Sequence, residues 1–209
     1  MTRADAVLEV EKLSRRFGSR EVLRSLDLTL RPGERLAVRG PNGSGKTTLL
    51  RCIAGTVRPS SGHVTVCGCP AGSYQARRLV GASLSSERSF YMRLTGRHNL
   101  LFFAQLRTES RRQAAKAVDA VERELELEEI ASQRVDRCST GMLQQLSFAR
   151  ALLGDPALLT LDEPTRSLDT DAVARVWAAL GRRPKCSLLL ATHSDDDTER
   201  CDGRLDLGV

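Results

Sequence analysis

The chain has 209 residues, which is enough for one well-buried α/β domain with a small subdomain and too few for two large domains. No run of about 18 apolar residues predicts a membrane span. The charged N-terminus lacks the apolar segment of a signal peptide, so we expect a cytoplasmic protein. The net charge of +6 is spread along the chain without a basic run or an aromatic platform, so no nucleic-acid partner is expected. The six cysteines lack zinc-site spacing and are expected to be reduced.

The first 34 residues predict a small antiparallel sheet. Residues 7–13 and 22–30 alternate apolar and polar side chains, as half-buried strands do, and turns are indicated at 17–20 and 31–34. Phe17 lies in the first of these turns. An aromatic ring at that place either stacks on the base of a nucleotide or packs at the edge of the core.

Residues 40–47 form a phosphate loop, because they match the pattern G-x-x-x-x-G-K-[ST] in full. A strand is predicted before the loop at 35–39, and a helix after it at 47–54. Glycines let the backbone wrap around a polyphosphate, which the loop N–H groups and the helix N-terminus attract. Lys46 is expected to reach the β- and γ-phosphates, and the Thr47 hydroxyl to bind Mg²⁺. The predicted phosphate-binding residues are Gly40, Asn42, Gly43, Ser44, Gly45, Lys46, Thr47 and Thr48.

Beyond the phosphate loop the pattern alternates between strands and helices. Short apolar strands are predicted at 63–67, 79–84, 157–161 and 187–191, and helices at 142–153 and 170–180. The stretch 85–137 predicts a helical insertion, with one apolar face on Leu100, Phe103 and Leu106 and another on Ala114, Val118, Val121 and Leu125. Alternating strands and helices favour a mostly parallel sheet, whose ligands bind at the carboxyl ends of the strands.

Two of these strands end in residues that suit phosphoryl chemistry. Asp162 and Glu163 close one strand, and their side chains diverge, which permits separate roles. Asp162 is expected to hold Mg²⁺ and Glu163 to polarise a water behind the γ-phosphate, the alternative being an ordinary pair of turn carboxylates. His193 closes the next strand, where it either hydrogen-bonds the γ-phosphate or has a structural role.

Together these segments resemble an ATP-binding cassette (ABC) ATPase, the nucleotide-binding subunit of an ABC transporter, over nearly the whole chain. The matching segments are Phe17, GPNGSGKTT at 40–48, STGMLQQLSFARALL at 139–153, LLTLDEPTRSLD at 158–169 and LLLATHS at 188–194. The segment at 85–106 resembles subunits that serve drug- or polysaccharide-export permeases. The implied fold is α/β of the P-loop NTPase type. It has a mostly parallel core sheet, an N-terminal antiparallel β subdomain and a helical signature subdomain. The core would cover 1–84 and 157–209, and the helical subdomain about 85–156.

The resemblance also implies a head-to-tail dimer, formed by two copies or by two different subunits. ATP would lie between the phosphate loop of one subunit and Ser139 and Gly141 of the other, with Phe17 on the adenine and Asp169 at the interface. Closure and opening of the dimer would drive a transmembrane permease. The ATPase would then lie on the inner face of the cell membrane as a peripheral subunit, with ATP and Mg²⁺ as its cofactors.

The chain departs from the family pattern at three places. The tail after His193 is brief and polar, so little is expected to remain for the final strands. The usual signature L-S-G-G-Q reads Cys138-Ser139-Thr140-Gly141-Met142, and the glutamine that contacts Mg²⁺ and water is replaced by Ser85 or Ser86. A shorter side chain such as Ser85 reaches the metal only through water. These losses lead to the hypothesis of weaker turnover, or of the less active half of a heterodimer.

Two functions from different classes fit these features. The first is an ATPase that energises transport through a separate permease. The alternative is a non-transport ABC ATPase that acts as a nucleotide-gated module on ribosomes, DNA or a division complex. Such modules usually show two cassettes in one chain, a coiled-coil insertion or zinc-binding cysteines, none of which this sequence contains. An unrelated kinase or GTPase is disfavoured, because it explains neither residues 138–153 nor His193.

Overall fold

A computed structural model describes residues 6–84 and 90–208, and these residues divide into two compact units. The first unit comprises residues 1–84, 157–163 and 185–209, and the second comprises 85–156 and 164–184. The sequence prediction placed 157–209 wholly in the core, whereas this division groups 164–184 with the helices.

The secondary-structure elements follow the chain in the order given next. The first ten are β1 (Leu8–Phe17), β2 (Arg20–Leu30), β3 (Arg35–Arg39), α1 (Lys46–Ile53), β4 (Ser61–Val66), β5 (Cys69–Pro70), α2 (Tyr74–Leu79), β6 (Val80–Ser83), α3 (Gly96–Gln105) and α4 (Arg111–Leu125). A short helix α5 (Glu128–Ser132) and a 3-10 turn (Val135–Arg137) come next. The remaining elements are α6 (Thr140–Leu152), β7 (Leu158–Asp162), α7 (Thr170–Gly181), β8 (Ser187–Ala191), α8 (Asp195–Glu199) and β9 (Gly203–Asp206).

The antiparallel sheet of the first unit has the strand order β2-β1-β4-β5. Strand β1 forms its centre because Leu8, Val10 and Leu13 turn inward and are buried. The β1–β2 register pairs Phe17 directly with Arg20, so the predicted turn at 17–20 is a tight hairpin of two connecting residues. The predicted antiparallel subdomain is therefore present, with longer strands than the sequence indicated.

The second sheet of this unit has the order β6-β7-β8-β3-β9, and every neighbouring pair is parallel. Strand β8 is buried along its whole length, as its apolar composition predicts for a strand covered on both faces. Helix α1 contributes Leu49, Leu50 and Ile53 to the hydrophobic core that it shares with the sheets.

The C-terminal segment corrects one expectation. The polar tail after His193 was expected to leave little for further strands, yet it folds into α8 and β9, and β9 pairs with β3 over residues 203–206. Leu205 packs against the core as a partly buried residue, and Leu207 is a buried member of it. Leu205 near the carboxyl end of β9 and Leu207 just after it thus attach this edge strand to the core, although Arg204 and Asp206 are polar.

The second unit is helical. Helix α4 buries Ala114, Val118, Val121 and Leu125, the face that the sequence predicted. The predicted face of α3 is wrong at Leu106, because the helix ends at Gln105 and Leu106 is 62% exposed. The buried positions of α3 are Gly96, Asn99, Leu100 and Ala104.

No helix among residues 6–84 and 90–208 is long and apolar enough to cross a membrane.

Candidate functional site

The parallel sheet brings three sequence motifs to one edge. Strands β7, β8 and β3 are neighbours, so their carboxyl ends lie side by side. Strand β3 leads into the phosphate loop, β7 ends at Asp162, and β8 ends two residues before His193. Residues that are far apart in the chain therefore meet at this edge.

The phosphate loop is closely packed against its surroundings. Gly40 has a φ of +144°, and a Cβ atom there would lie 2.3 Å from the Leu207 carbonyl oxygen. Gly45 precedes α1 with a φ of +106°. The hydroxyl of Ser44 is buried and has no hydrogen-bond partner in the described part of the chain. A buried donor without a partner, beside the N-terminus of an eight-residue helix, fits an anionic ligand such as a polyphosphate.

The ammonium group of Lys46 lies inside this loop, and the residue is only 8% exposed. Its Nζ donates to the carbonyl oxygen of Gly40 at 2.6 Å and to that of Pro41 at 3.2 Å. The same atom lies 3.3 Å from Nε2 of His193. A single positive charge is thus held where the loop and the end of β8 meet.

Thr47 and Asp162 form a pair of hard oxygen donors. The Thr47 hydroxyl donates to Oδ2 of Asp162 at 2.6 Å. Burial raises the pKa of the Asp162 carboxyl above its ordinary value, and the Thr47 hydrogen bond and the Lys46 charge oppose that rise. Mg²⁺ usually binds through one or two protein oxygens together with water and substrate phosphates. The donors therefore suit Mg²⁺, although the described residues contain no cluster of three or more His, Cys, Asp or Glu that could hold a metal.

His193 and Glu163 face each other beside Lys46. Nε2 of His193 lies 3.7 Å from Oε1 of Glu163 and 3.2 Å from Oδ1 of Asn42. Glu163 has a left-handed φ of +49°, and its N–H donates to the carbonyl of Ala191 at 2.8 Å. Strained backbone at a non-glycine residue is common at functional sites. The predicted divergence of Asp162 and Glu163 agrees with their different partners, Thr47 and His193.

Phe17 stands at the end of β1 with 47% of its surface exposed. The Arg15 guanidinium lies 4.3 Å from the centre of its ring. Arg20, paired opposite Phe17, has its Nη2 at 3.4 Å from the carbonyl oxygen of Gly43 in the phosphate loop. The exposed ring favours the stacking alternative over a core-edge phenylalanine.

The signature residues belong to the second unit. Ser139 caps α6, accepting a hydrogen bond from the N–H of Met142 at 3.2 Å, while the Ser139 N–H contacts the Met142 sulfur at 3.4 Å. Gly141 leaves no room for a side chain, because a Cβ atom would lie 2.6 Å from the Ser167 carbonyl oxygen. Asp169 caps α7 by accepting from Ala172 N–H at 2.7 Å. The remaining predicted metal residue, Ser85, lies outside the described residues.

Sequence reasoning missed Arg39, the last residue of β3. The signal that could have found it is a charged side chain at the end of a strand whose central residues are buried in the core. Its guanidinium contacts Ser194, Asp195 and Thr198, which follow His193 in the chain.

Comparison with known proteins decides the family. Residues 23–166 match the family model described as ABC transporter. The chain belongs to the ABC transporter family. The Nod factor export ATP-binding protein I of Rhizobium meliloti (strain 1021) is 36% identical over 203 residues, covering 95% of this chain and 60% of that protein. The chain thus spans about 60% of the length of this curated relative.

Solved structures agree with the fold of an ABC cassette. An ATP-binding subunit of an ABC transporter superposes with a TM-score of 0.85 at 28% identity, covering 96% of this chain and 85% of that one. A dimeric ATP-binding cassette in a post-hydrolysis state, bound to ADP and Pi, superposes with a TM-score of 0.83 at 21% identity. That match covers 96% of this chain and 94% of the other, and it bears on the fold alone. The predicted α/β class with a parallel core sheet, an antiparallel sheet and helices is confirmed.

Proposed function

We propose that this chain binds and hydrolyses ATP and that it powers transport through a separate transmembrane permease. The observation that carries the proposal is the meeting of Lys46, Thr47, Asp162, Glu163 and His193 at one sheet edge. Charged and polar groups with no shared structural task rarely converge in this way. Membership of the ABC transporter family supports the same reading.

The phosphate loop would hold the triphosphate. Lys46 would exchange part of its contact with the Gly40 and Pro41 carbonyls for the β- and γ-phosphates, acting as a point charge. The Ser44 hydroxyl would gain the acceptor that it lacks in the described chain. Phe17 would stack on the adenine through the exposed part of its ring.

Thr47 and Asp162 would hold Mg²⁺, Thr47 directly and Asp162 through bound water. The cation, when bound, neutralises charge that develops on the phosphate oxygens. It would also favour the ionised form of Asp162, which burial alone disfavours. Ser85 remains a proposed water-mediated contact to the same metal.

Glu163 would orient the attacking water and accept its proton, because its carboxylate lies near the phosphate-facing atoms of Lys46 and His193. His193 would donate a hydrogen bond to the γ-phosphate through Nε2, the nitrogen that already faces Lys46 and Asn42.

A second subunit would complete the site, as a second copy of this chain or a different ABC subunit. Ser139 is exposed at the N-terminus of a 13-residue helix, so its hydroxyl and the helix dipole are available to a γ-phosphate bound by the other subunit. The proposed arrangement is head to tail, with Gly141 beside Ser139 and Asp169 near the interface. Removal of the γ-phosphate takes away the charge that joins the two subunits, and the dimer then opens.

The proposed partner is a transmembrane permease, which would hold this chain at the inner face of the cell membrane. The relative from Rhizobium meliloti is named as an export ATP-binding protein. The second unit carries apolar surface that a partner can cover, since Tyr91 and Phe102 are 52% and 39% exposed and their ring centroids lie 5.0 Å apart.

Co-expression with a membrane protein of several spans, where the reading frame next to this chain encodes one, tests the proposal. We expect the chain to purify with that protein from detergent extracts, and ATP hydrolysis to require Mg²⁺ and to vanish in Lys46→Met. Arg204→Met, which removes an exposed arginine of β9, is the matched control. Recovery with ribosomes or DNA instead would favour the non-transport alternative, and Mg²⁺-independent or Lys46-independent hydrolysis would contradict the assigned site.

A further inference from the structure

Arg39 joins the base of the phosphate loop to the segment that follows His193. Its side chain is 25% exposed, and its Nη1 lies 3.1 Å from the Ser194 carbonyl oxygen, 2.9 Å from Oδ1 of Asp195 and 2.8 Å from Oγ1 of Thr198. The two hydrogens of this nitrogen are shared among three acceptors. One guanidinium nitrogen therefore contacts the Ser194 carbonyl just before α8, and one residue in each of the first and last turns of that helix.

The residues on both sides of His193 are fixed by their neighbours. Thr192 is buried, its N–H donates to the Val38 carbonyl at 3.3 Å, and its hydroxyl donates to Asp197 at 3.3 Å. The Ser194 N–H donates back to the Thr192 hydroxyl at 3.0 Å. The position of the His193 side chain thus depends on where this segment is held relative to the sheet.

Helix α8 is too short to supply that rigidity itself. It has five residues, and its first turn contains Asp195, Asp196 and Asp197. An isolated helix of this length is not stable in water. The Arg39 guanidinium, at the end of the neighbouring strand β3, supplies an external contact through Asp195 and Thr198.

We propose that Arg39 is a positioning residue for His193. It holds residues 194–198 at the end of β3 and so keeps Nε2 of His193 within reach of Lys46 and Glu163. Within the described part of the chain, its side-chain contacts are with Ser194, Asp195 and Thr198 and not with the phosphate loop. The inference rests on the proposed ATPase function, since His193 has its role only there. An error of about 1 Å in the placement of a reacting group costs about 100-fold in rate.

Three variants separate positioning from general damage. Arg39→Met keeps the length and the apolar stem and removes the charge and all donors. Arg39→Lys keeps the charge and places three donors on one nitrogen, which matches the single-nitrogen contacts of the guanidinium. Arg204→Met is the matched control, because Arg204 also lies in this sheet and also pairs with an aspartate, Asp206, at 3.0 Å.

The first measurement needs no nucleotide. The chain contains only three histidines, His63, His98 and His193, so a spectrum of the imidazole nitrogens of ¹⁵N-labelled protein resolves each ring. We expect Arg39→Met to shift or broaden the His193 signals and to leave those of His63 and His98 in place. Arg39→Lys and Arg204→Met are expected to retain the wild-type His193 signals. Unchanged His193 signals in Arg39→Met would overturn the proposal.

The second measurement is steady-state hydrolysis of Mg·ATP. We expect kcat of Arg39→Met to fall by about 10- to 100-fold while KM changes by less than about threefold, because the loop contacts of Lys46 do not involve Arg39. Arg39→Lys should recover most of kcat. A rise of KM by the same factor, with kcat unchanged, would show that Arg39 acts on nucleotide binding and not through His193. If the wild type itself neither bound nor hydrolysed ATP, the proposed function would fail, while the spectrum would still test the positioning.

Thr198→Val gives a second route if Arg39→Met does not fold. It removes one acceptor of the Arg39 contact, together with the hydrogen bond from the Thr198 hydroxyl to the Ser194 carbonyl, with almost no change in volume. We expect a smaller displacement of the His193 signals in the same direction and a smaller loss of kcat. Wild-type signals and wild-type kcat in Thr198→Val would contradict the proposed route from Arg39 to His193.

Discussion

The close contact between Gly40 and the C-terminal segment makes Gly40→Ala an informative change. A Cβ atom on Gly40 would lie 2.3 Å from the Leu207 carbonyl oxygen and 2.7 Å from the Ser44 hydroxyl. The hydroxyl can rotate away, but the carbonyl belongs to backbone that is tied to β3 through the Leu207 N–H and the Arg39 carbonyl, 2.8 Å apart. The added methyl therefore forces either the phosphate loop or the end of β9 to move.

The expected cost has two parts. A φ of +144° is disfavoured for any residue with a Cβ atom, which costs about 1–2 kcal/mol. Overpacking against backbone adds about 1–3 kcal/mol. For a chain of this length, each kcal/mol lowers Tm by about 2–4 °C. The sum of about 2–5 kcal/mol predicts that Tm of Gly40→Ala falls by about 4–20 °C.

Gly18→Ala is the matched control for the backbone term. Gly18 also has a positive φ, +59°, but a Cβ atom there meets nothing within 4 Å. The backbone cost alone predicts that its Tm falls by about 2–8 °C, partly offset by the lower entropy of the unfolded chain, so its Tm should stay above that of Gly40→Ala. Thermal unfolding and ATP titration of both variants test this. Equal stability of the two variants, with equal ATP affinity, would refute the close packing of the phosphate loop against residue 207.

Two further predictions concern Asp162 and Ser139. Burial raises the pKa of the Asp162 carboxyl, so its ionised form destabilises the folded chain at neutral pH. Asp162→Asn should therefore raise the Tm of the nucleotide-free protein at neutral pH, and this gain should shrink as the pH falls through the raised pKa. The same variant should lose Mg²⁺-dependent hydrolysis. A lower Tm for Asp162→Asn at neutral pH would contradict the sign of this shift. Ser139→Ala and Ser110→Ala each remove a helix cap whose hydroxyl accepts a hydrogen bond at 3.2 Å, so each should cost about 1 kcal/mol of unfolding free energy, but only Ser139→Ala should lower ATPase activity. Equal activities of the two cap variants would argue against a role of Ser139 at the nucleotide.

Local patterns were enough to propose the site, because its chemistry depends on short motifs. The phosphate loop requires glycines at fixed positions. The two buried strands are recognised as apolar runs that are followed by Asp162 and His193. Parallel pairing then leaves one arrangement, with both strand ends beside the loop.

What the sequence did not reveal depends on long-range contacts. Strand β9 carries Arg204 and Asp206 on an exposed edge, and its pairing with β3 is visible only in three dimensions. Helix α8 is read as a polar tail because one of the contacts that hold it comes from Arg39, a residue more than 150 positions earlier. Leu106 was assigned to a buried face because periodicity does not mark the residue at which a helix ends.

The central claim is that Glu163 acts on ATP held between two subunits. The most direct test is the mass of purified Glu163→Gln measured by size-exclusion chromatography with light scattering, with and without Mg·ATP. The amide keeps the shape of Glu163 but neither accepts a proton nor repels the phosphates, so ATP should stay bound and hold the dimer closed. We expect the mass of Glu163→Gln to shift from that of a monomer to twice that value with Mg·ATP, and to stay at the monomer value with ADP. A monomer under all conditions, with hydrolysis at the wild-type rate, would contradict it.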